Sequence, residues 1–194
     1  MAQLGNGLGE AKHHEEALSV QEARLSLMPR GGASEDSILI VRTCLANSLT
    51  RLGRNEQASN MLRDVYSGRV RLNGEEHQET IIAALNYASS LGCLRRVEEV
   101  KSLLRKTIPA ARRVLGENNE ITLRVKLTYV TALGLDTGAT LDDVREAVTM
   151  LEESERTARR VLGSAHPLTT GFESNLRKAR AALRARKLQG KTTN

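Results

Sequence analysis

Two features near the amino terminus consist of residue types that could do chemistry. Glycines at positions 5, 7 and 9 could form a phosphate-binding loop, and the His-His-Glu-Glu run at residues 13–16 could bind a metal. The glycines lack the preceding strand and the Lys-Ser/Thr pair of a phosphate-binding loop. His13 and His14 point about 100° apart on a helix, so they cannot chelate one ion together. We therefore expect a flexible end over residues 1–8, a solvated helix surface after it, no metal site and no cofactor.

The remaining nucleophiles and acids form no catalytic pattern. Cys44 and Cys93 are the only cysteines, too few for a disulfide framework or a zinc site, and no neighbouring residue in the sequence favours a thiolate. The carboxylate pair Glu98-Glu99 follows two arginines, an arrangement typical of a surface ion pair. General acid–base catalysis would need a cleft around such a pair. We expect that the protein is not an enzyme.

The composition excludes several other classes. The chain has 194 residues, but only 3 Tyr, 1 Phe and no Trp, which argues against a base-stacking surface and against a large β-sandwich or barrel. Its longest uninterrupted apolar run, residues 81–85, is far shorter than the ~20 residues of a membrane-spanning helix. Residues 1–7 show no secretory signal. These patterns predict one domain or one continuous array in the cytoplasm, without a membrane span.

The positive charge is concentrated at the carboxyl end. The net charge is +6, but residues 176–194 hold seven basic residues and no acidic residue, so the remainder is close to neutral. Such a basic segment could bind an acidic protein, a nucleic acid or an anionic membrane. It could equally be the polar outer face of a terminal repeat. The second interpretation is favoured because no aromatic residue is interleaved for base stacking.

An internal repeat is the main signal in the sequence. Gly32, Gly74, Gly116 and Gly163 lie in similar contexts, 42, 42 and 47 residues apart. The five extra residues of the last interval fall in a polar turn, residues 136–140. A fixed period of this length is typical of stacked helical repeats.

Each repeat contains two segments with helical periodicity and no strand-like alternation, which predicts an all-α fold. Each glycine can take the positive φ that ends a helix. His166 and Asn119 precede helix starts, where a polar side chain caps free N–H groups. Pro109 lies inside a second helix and should kink or break it.

Three further motifs carry a resemblance to a known family. Residues 162–169 read Leu-Gly-Ser-Ala-His-Pro-Leu-Thr, residues 86–88 read Asn-Tyr-Ala, and Gly53 with Ala58 marks a turn and the start of a second helix. Together they resemble the 42-residue tetratricopeptide repeats of kinesin light chains, whose first helix carries an Asn-Leu-Ala-like core. A HEAT-type repeat has a similar period, about 40–47 residues, but lacks these features.

The resemblance implies a right-handed superhelical solenoid of antiparallel helix pairs over residues 9–188. The expected organisation is a half repeat at 9–29, repeats at 34–74, 75–116 and 117–163, a terminal helix at 167–188 and a disordered tail at 189–194. The amino end would then begin inside a repeat, either because the chain is a piece of a longer array or because the preceding helix has been lost.

In the family, the first helices line a concave face that contacts an extended peptide, and the core asparagine can grip the peptide backbone. Asn86 and Asn175 match this asparagine, whereas Cys44 and Thr128 replace it. The candidate peptide-binding residues are Asn47, Arg51, Asn86, Ser89, Thr128, Thr131, Asn175 and Lys178.

The resemblance therefore implies a protein-interaction scaffold that binds a peptide segment or a partner helix, and an acidic peptide is one candidate. One alternative is an RNA- or DNA-associated helical-repeat protein that uses its basic end. Another is a partial array with a structural role in a longer protein. Neither the identity of the partner nor the oligomeric state can be inferred from the sequence.

Overall fold

A computed structural model describes residues 15–16, 18–28, 32–136 and 138–192, with side chains described up to residue 186. The glycines at 5, 7 and 9, His13 and His14 lie outside the described residues. The described residues form helices joined by short turns, with no strand among them, so the all-α prediction is confirmed. By its internal contacts the chain divides into two compact units, unit 1 (Met1–Leu94) and unit 2 (Arg95–Asn194).

Unit 1 contains four helices. They are α1 (residues 18–27), α2 (Glu35–Arg51), α3 (Asn55–Asn73) and α4 (Gln78–Cys93). Helix α3 packs against both α2 and α4. The core joins Leu18 of α1 to Leu45 and Leu49 of α2 and to Ala58 and Leu62 of α3. Burial of these periodic apolar faces is what stabilises short helices that would be marginal alone.

Unit 2 contains the next four helices. They are α5 (Val97–Leu115), α6 (Glu120–Leu135), α7 (Leu141–Leu162) and α8 (Pro167–Thr192). Helix α6 packs against α5, α7 and α8, and α7 packs against α8. Tyr129 and Phe172 are the largest fully buried side chains of this unit. The division between the units separates α4 from α5, the two helices of the predicted repeat 75–116.

The residues predicted to end and to cap helices do so in the structure. Gly74, Gly116 and Gly163 end α3, α5 and α7 with φ of 79°, 88° and 88°, values that disfavour any side chain. Asn119 accepts a hydrogen bond from the Ile121 N–H, and His166 accepts one from the Leu168 N–H, so both cap a helix start.

Two details differ from the sequence-based expectations. Helix α5 is continuous from Val97 to Leu115, so Pro109 does not break it. Pro109 is exposed on this helix, while its neighbours Ile108 and Ala111 are buried. Helix α8 continues to Thr192, four residues beyond the predicted end at 188.

Candidate functional site

A groove in unit 2 brings together three helices and the inserted turn. It has a volume of about 180 Å³ and lies between the carboxyl end of α6, the start of α7 and the middle of α8. Its lining residues are Val130, Thr131, Leu133, Gly134, Leu135, Asp136, Ala139, Asp143, Val144, Ala147, Leu151, Asn175, Lys178, Ala179, Ala182 and Arg186. Of the predicted peptide-binding residues, Thr131, Asn175 and Lys178 therefore meet in one place.

The floor of the groove is apolar. Val130 and Leu133 of α6 and Ala147 and Leu151 of α7 are all buried, and they face small alanines of α8 such as Ala179. These residues repeat at helical spacing, so the same periodicity that builds the core also supplies the floor. An apolar surface with a few polar groups at its edge is typical of a binding site.

The polar edge offers two cations and two acceptor oxygens. Lys178 is exposed, and Arg186 donates to the Thr140 carbonyl oxygen at 2.9 Å. The Thr131 hydroxyl donates to the Leu127 carbonyl at 2.7 Å, so only its oxygen lone pairs can face a ligand. The Asn175 amide nitrogen likewise donates to the Gly171 carbonyl at 2.9 Å. The Asn175 carbonyl oxygen can accept a hydrogen bond from a ligand, and its amide group keeps one further N–H that can donate.

Asp136 and Ala139 of the turn form one wall of the groove, and ion pairs and hydrogen bonds hold the described residues around them. Asp136 accepts from Lys101 of α5 at 2.8 Å and from the Gly138 N–H at 2.8 Å. Thr140 and Asp143 form a reciprocal capping box at the start of α7. Compared with α5, the preceding turn is two residues longer and α7 is 22 instead of 19 residues long, so the insertion is shared between the turn and the start of α7.

The charges of this wall are stable at neutral pH. The hydrogen bond from Lys101 lowers the pKa of Asp136, and the hydrogen bond from the Thr140 hydroxyl lowers the pKa of Asp143. The same contact with Asp136, assisted by Glu98, raises the pKa of Lys101. Each shift favours the charged form of a group that already has a partner, so it reflects a structural ion pair.

At the turn that borders the groove, unit 2 has a different type of residue from unit 1. In the repeat register, Leu52 of the α2–α3 turn corresponds to Leu94 and then to Asp136, at spacings of 42 and 42. Leu52 packs against the core of unit 1. Asp136 instead pairs with Lys101 and lines the groove between α6 and α8.

The other predicted binding residues lie elsewhere. Asn47 and Arg51 are exposed on α2 and Asn86 and Ser89 lie on α4, so all four belong to unit 1. Thr128 lies on α6 outside the groove and donates its hydroxyl to the Arg124 carbonyl at 3.0 Å.

Sequence reasoning missed Arg186 and the apolar floor. In the sequence, Arg186 is one of the seven basic residues at positions 176–194, and nothing in that segment by itself indicates a groove. The spacing of eight residues between Arg186 and Lys178, or about two helical turns, could have placed both on one face of α8.

Residues 39–79 match the family model described as a tetratricopeptide repeat (TPR), and no curated protein matches the chain in sequence. The fold is that of tetratricopeptide repeats. A protein of Podosopora anserina, described as a kinesin light chain with nearly identical TPR-like repeats, superposes with a TM-score of 0.73 and 20% identity over 97% of this chain and 90% of that one. A variant of it gives 0.75 with the same identity and coverage.

BtubC (BKLC) of P. vanneervenii has the same fold. It superposes with a TM-score of 0.70 and 17% identity over 94% of this chain and 75% of that one. At such identities the likeness shows the TPR fold alone.

The described residues also bear on metal binding, on the cysteines and on membrane insertion. Those residues include no group of three or more potential metal ligands. Cys44 and Cys93 are exposed free thiols. No helix among the described residues has the length and apolar character needed to cross a membrane.

Proposed function

We propose that the chain is a non-catalytic protein-interaction module of the 42-residue kinesin-light-chain type, and that its groove between α6, α7 and α8 binds an extended peptide. TPR-like repeats in general present surfaces that bind other proteins. The observation that carries the proposal is the groove itself, with an apolar floor and two cations at its edge. Helices α6 and α8 are first helices of their repeats, which agrees with the expected concave binding face.

The chemistry of the groove defines the peptide that fits it. An aliphatic side chain would bury apolar surface against Val130, Leu133 and Leu151. Carboxylates on either side would lie near Lys178 and Arg186, which provide charge-assisted hydrogen bonds. Backbone N–H groups of the peptide would donate to the oxygens of Thr131 and Asn175, since the Thr131 hydroxyl hydrogen and one Asn175 amide hydrogen are already used within their own helices.

A designed probe tests this proposal directly. The probe is a fluorescein-labelled peptide of about ten residues with a central leucine flanked by glutamates, compared with the same peptide carrying lysines, since opposite charges favour encounter and pairing. Fluorescence anisotropy should show binding of the acidic peptide only. Lys178→Glu should weaken binding, and Ala182→Phe, which fills the groove from its exposed side, should abolish it.

Lys106→Glu is the matched control because Lys106 is an exposed cation on α5, outside the groove, with the same change of charge. If Lys106→Glu weakens binding as much as Lys178→Glu, net charge accounts for the binding and the groove is not the site. If Ala182→Phe leaves the affinity unchanged, the peptide binds elsewhere.

A further inference from the structure

Helix α8 has two faces of opposite character. One face carries Phe172 and Leu176, which are buried against the rest of unit 2. Along a flank of the helix, cations recur along the sequence at alternating intervals of three and four residues, namely Arg177, Arg180, Arg184, Lys187 and Lys191. Because α8 is one continuous helix from Pro167 to Thr192, this spacing places the five residues in one row, here called the cationic row.

The row is only partly neutralised by the protein. Arg180 pairs with Glu152 of α7 at 2.8 Å. Glu173 is the last acidic residue of the chain, and it is bound by Arg159 at 2.5 Å. Arg177 and Arg184 are exposed and contact no acidic group among the residues whose side chains are described. The described part of this flank therefore carries excess positive charge at Arg177 and Arg184.

The geometry of the row favours one kind of polyanion. From residue 177 to residue 191 the helix rises about 21 Å in a straight line, with a cation every turn. A duplex nucleic acid presents a similarly regular line of charge, one phosphate for about every 1.7 Å of its axis. Arginine guanidinium groups pair well with phosphate oxygens. A single strand would need stacking aromatics, and the cationic row contains none.

A membrane surface fits this face less well. A helix that lies in a bilayer inserts bulky apolar residues beside its basic ones. In α8 the bulky residues Phe172 and Leu176 are already buried within unit 2 and Leu183 is half-buried, while the exposed residues between the arginines are Lys178 and alanines such as Ala181 and Ala185.

We infer that the cationic row of α8 binds the phosphate backbone of a duplex nucleic acid without reading its sequence. This binding is independent of the peptide groove. Arg177 and Lys178 are adjacent in sequence and therefore point about 100° apart, one toward the row and one toward the groove. Contacts made only to phosphates give weak binding, with dissociation constants of about 10⁻⁴ to 10⁻⁶ M that rise steeply with salt.

The test uses the full chain and duplexes of DNA and of RNA of about 24 base pairs, in fluorescence anisotropy from about 50 to 200 mM salt. The variant Arg177→Glu/Arg184→Glu should weaken binding by about ten-fold or more at low salt and lower the slope of log K against log salt by about two. Comparison of the DNA duplex with the RNA duplex shows which of the two nucleic acids the chain binds more tightly. Circular dichroism should show an unchanged melting profile for the variant, since both arginines are exposed.

The control Arg24→Glu/Lys106→Glu makes the same change of charge at exposed positions on α1 and α5. It should retain at least half of the affinity of the parent chain. Equal loss in both double variants would overturn the inference, because net charge would then explain the binding. Absence of binding to either duplex at low salt would overturn it too, as would tighter, Arg177- and Arg184-dependent binding to phosphatidylserine vesicles than to the duplexes.

Discussion

Units 1 and 2 are built from equivalent helices but offer different surfaces. Residues 1–94 hold nine basic and eleven acidic residues, a net charge of −2, whereas residues 95–194 hold 20 and 12, a net charge of +8. In unit 1 the turn residue Leu52 completes the core. In unit 2 the equivalent Asp136 pairs with Lys101 and lines a groove.

The comparison shows how one repeat scaffold acquires a binding surface. The core positions stay apolar in both units, so the helices keep their packing. A single change of residue type in the turn, together with five inserted residues, alters what lies between the helices. The position of the cations then determines the kind of ligand that the opened space can accept.

The largest expected effect is a difference in stability between aspartate substitutions at two core alanines. Ala58 of unit 1 is fully buried, whereas Ala147 of unit 2 is 5% exposed and borders the groove. Ala58→Asp should lower the free energy of unfolding by about 3 kcal/mol or more, since an unpaired carboxylate is buried there. Ala147→Asp should cost less, about 1–2 kcal/mol, because the groove admits water. Urea unfolding measures both.

Gln57→Asp is the control for this pair, since Gln57 is exposed one residue before Ala58. It should change the stability by less than about 0.5 kcal/mol. Equal losses of stability in Ala58→Asp and Ala147→Asp would mean that the groove excludes water as fully as the core of unit 1 does.

The second effect concerns the ion pair that borders the groove. Asp136→Ala should lower the stability by about 2 kcal/mol, because Lys101 is buried and keeps only the exposed Glu98 as its partner. Asp142→Ala removes a surface ion pair with Arg145. The Asp142 side chain is 87% exposed, so this change should have little effect on stability. Thermal unfolding compares the two variants. Similar losses would show that the pair of Asp136 and Lys101 is no stronger than a surface pair.

The third effect is a dependence of stability on pH. Since Asp136 and Asp143 have lowered pKa values in the folded chain, the unfolded chain binds more protons as the pH falls below about 4. Their contribution is present above that pH and is lost as the pH falls through the folded pKa values. Urea midpoints at pH 7, 4 and 3 should show this loss, and Asp136→Asn should flatten the profile. A parent profile as flat as that of the variant would contradict the assignment.

The fourth effect separates two asparagines that occupy the same repeat position. Asn175 lines the groove of unit 2, whereas Asn86 lies in unit 1. Asn175→Ala should weaken binding of the acidic peptide about five-fold, the loss of one hydrogen bond of about 1 kcal/mol. Asn86→Ala should leave that affinity unchanged. Isothermal titration that finds the reverse order would move the site to unit 1.

The smallest effect tests whether α4 and α6 have the same helix geometry at a glycine that occupies the same repeat position in both. Gly92 and Gly134 lie 42 residues apart inside α4 and α6, and a Cβ atom at either position would meet nothing within 4 Å. Each Gly→Ala change should therefore stabilise the chain by about 0.5–1 kcal/mol. Thermal melts should show similar gains. A gain at Gly92 and a loss at Gly134 would indicate that α6 does not follow the repeat geometry.

The sequence by itself determined the helices and their repeat. Apolar residues at helical spacing, glycines that end helices and polar caps act over a few residues, so their effect can be read locally. The match at residues 39–79 agrees with the resemblance to tetratricopeptide repeats stated from the same motifs. The shift of period is visible in the sequence alone, but its five residues do not all fall in the turn: the loop 136–140 is two residues longer than the loop 94–96, and α7 is three residues longer than α5.

Only the tertiary structure decided where a binding surface forms. The equivalence of Asn86 and Asn175 was read from the register, but the groove at Asn175 is lined by Asp136, which pairs with Lys101, 35 residues earlier in the chain. Arg186 became part of the groove because α8 packs against α6 and α7. Contacts between residues distant in sequence depend on which faces meet, and no local pattern specifies that.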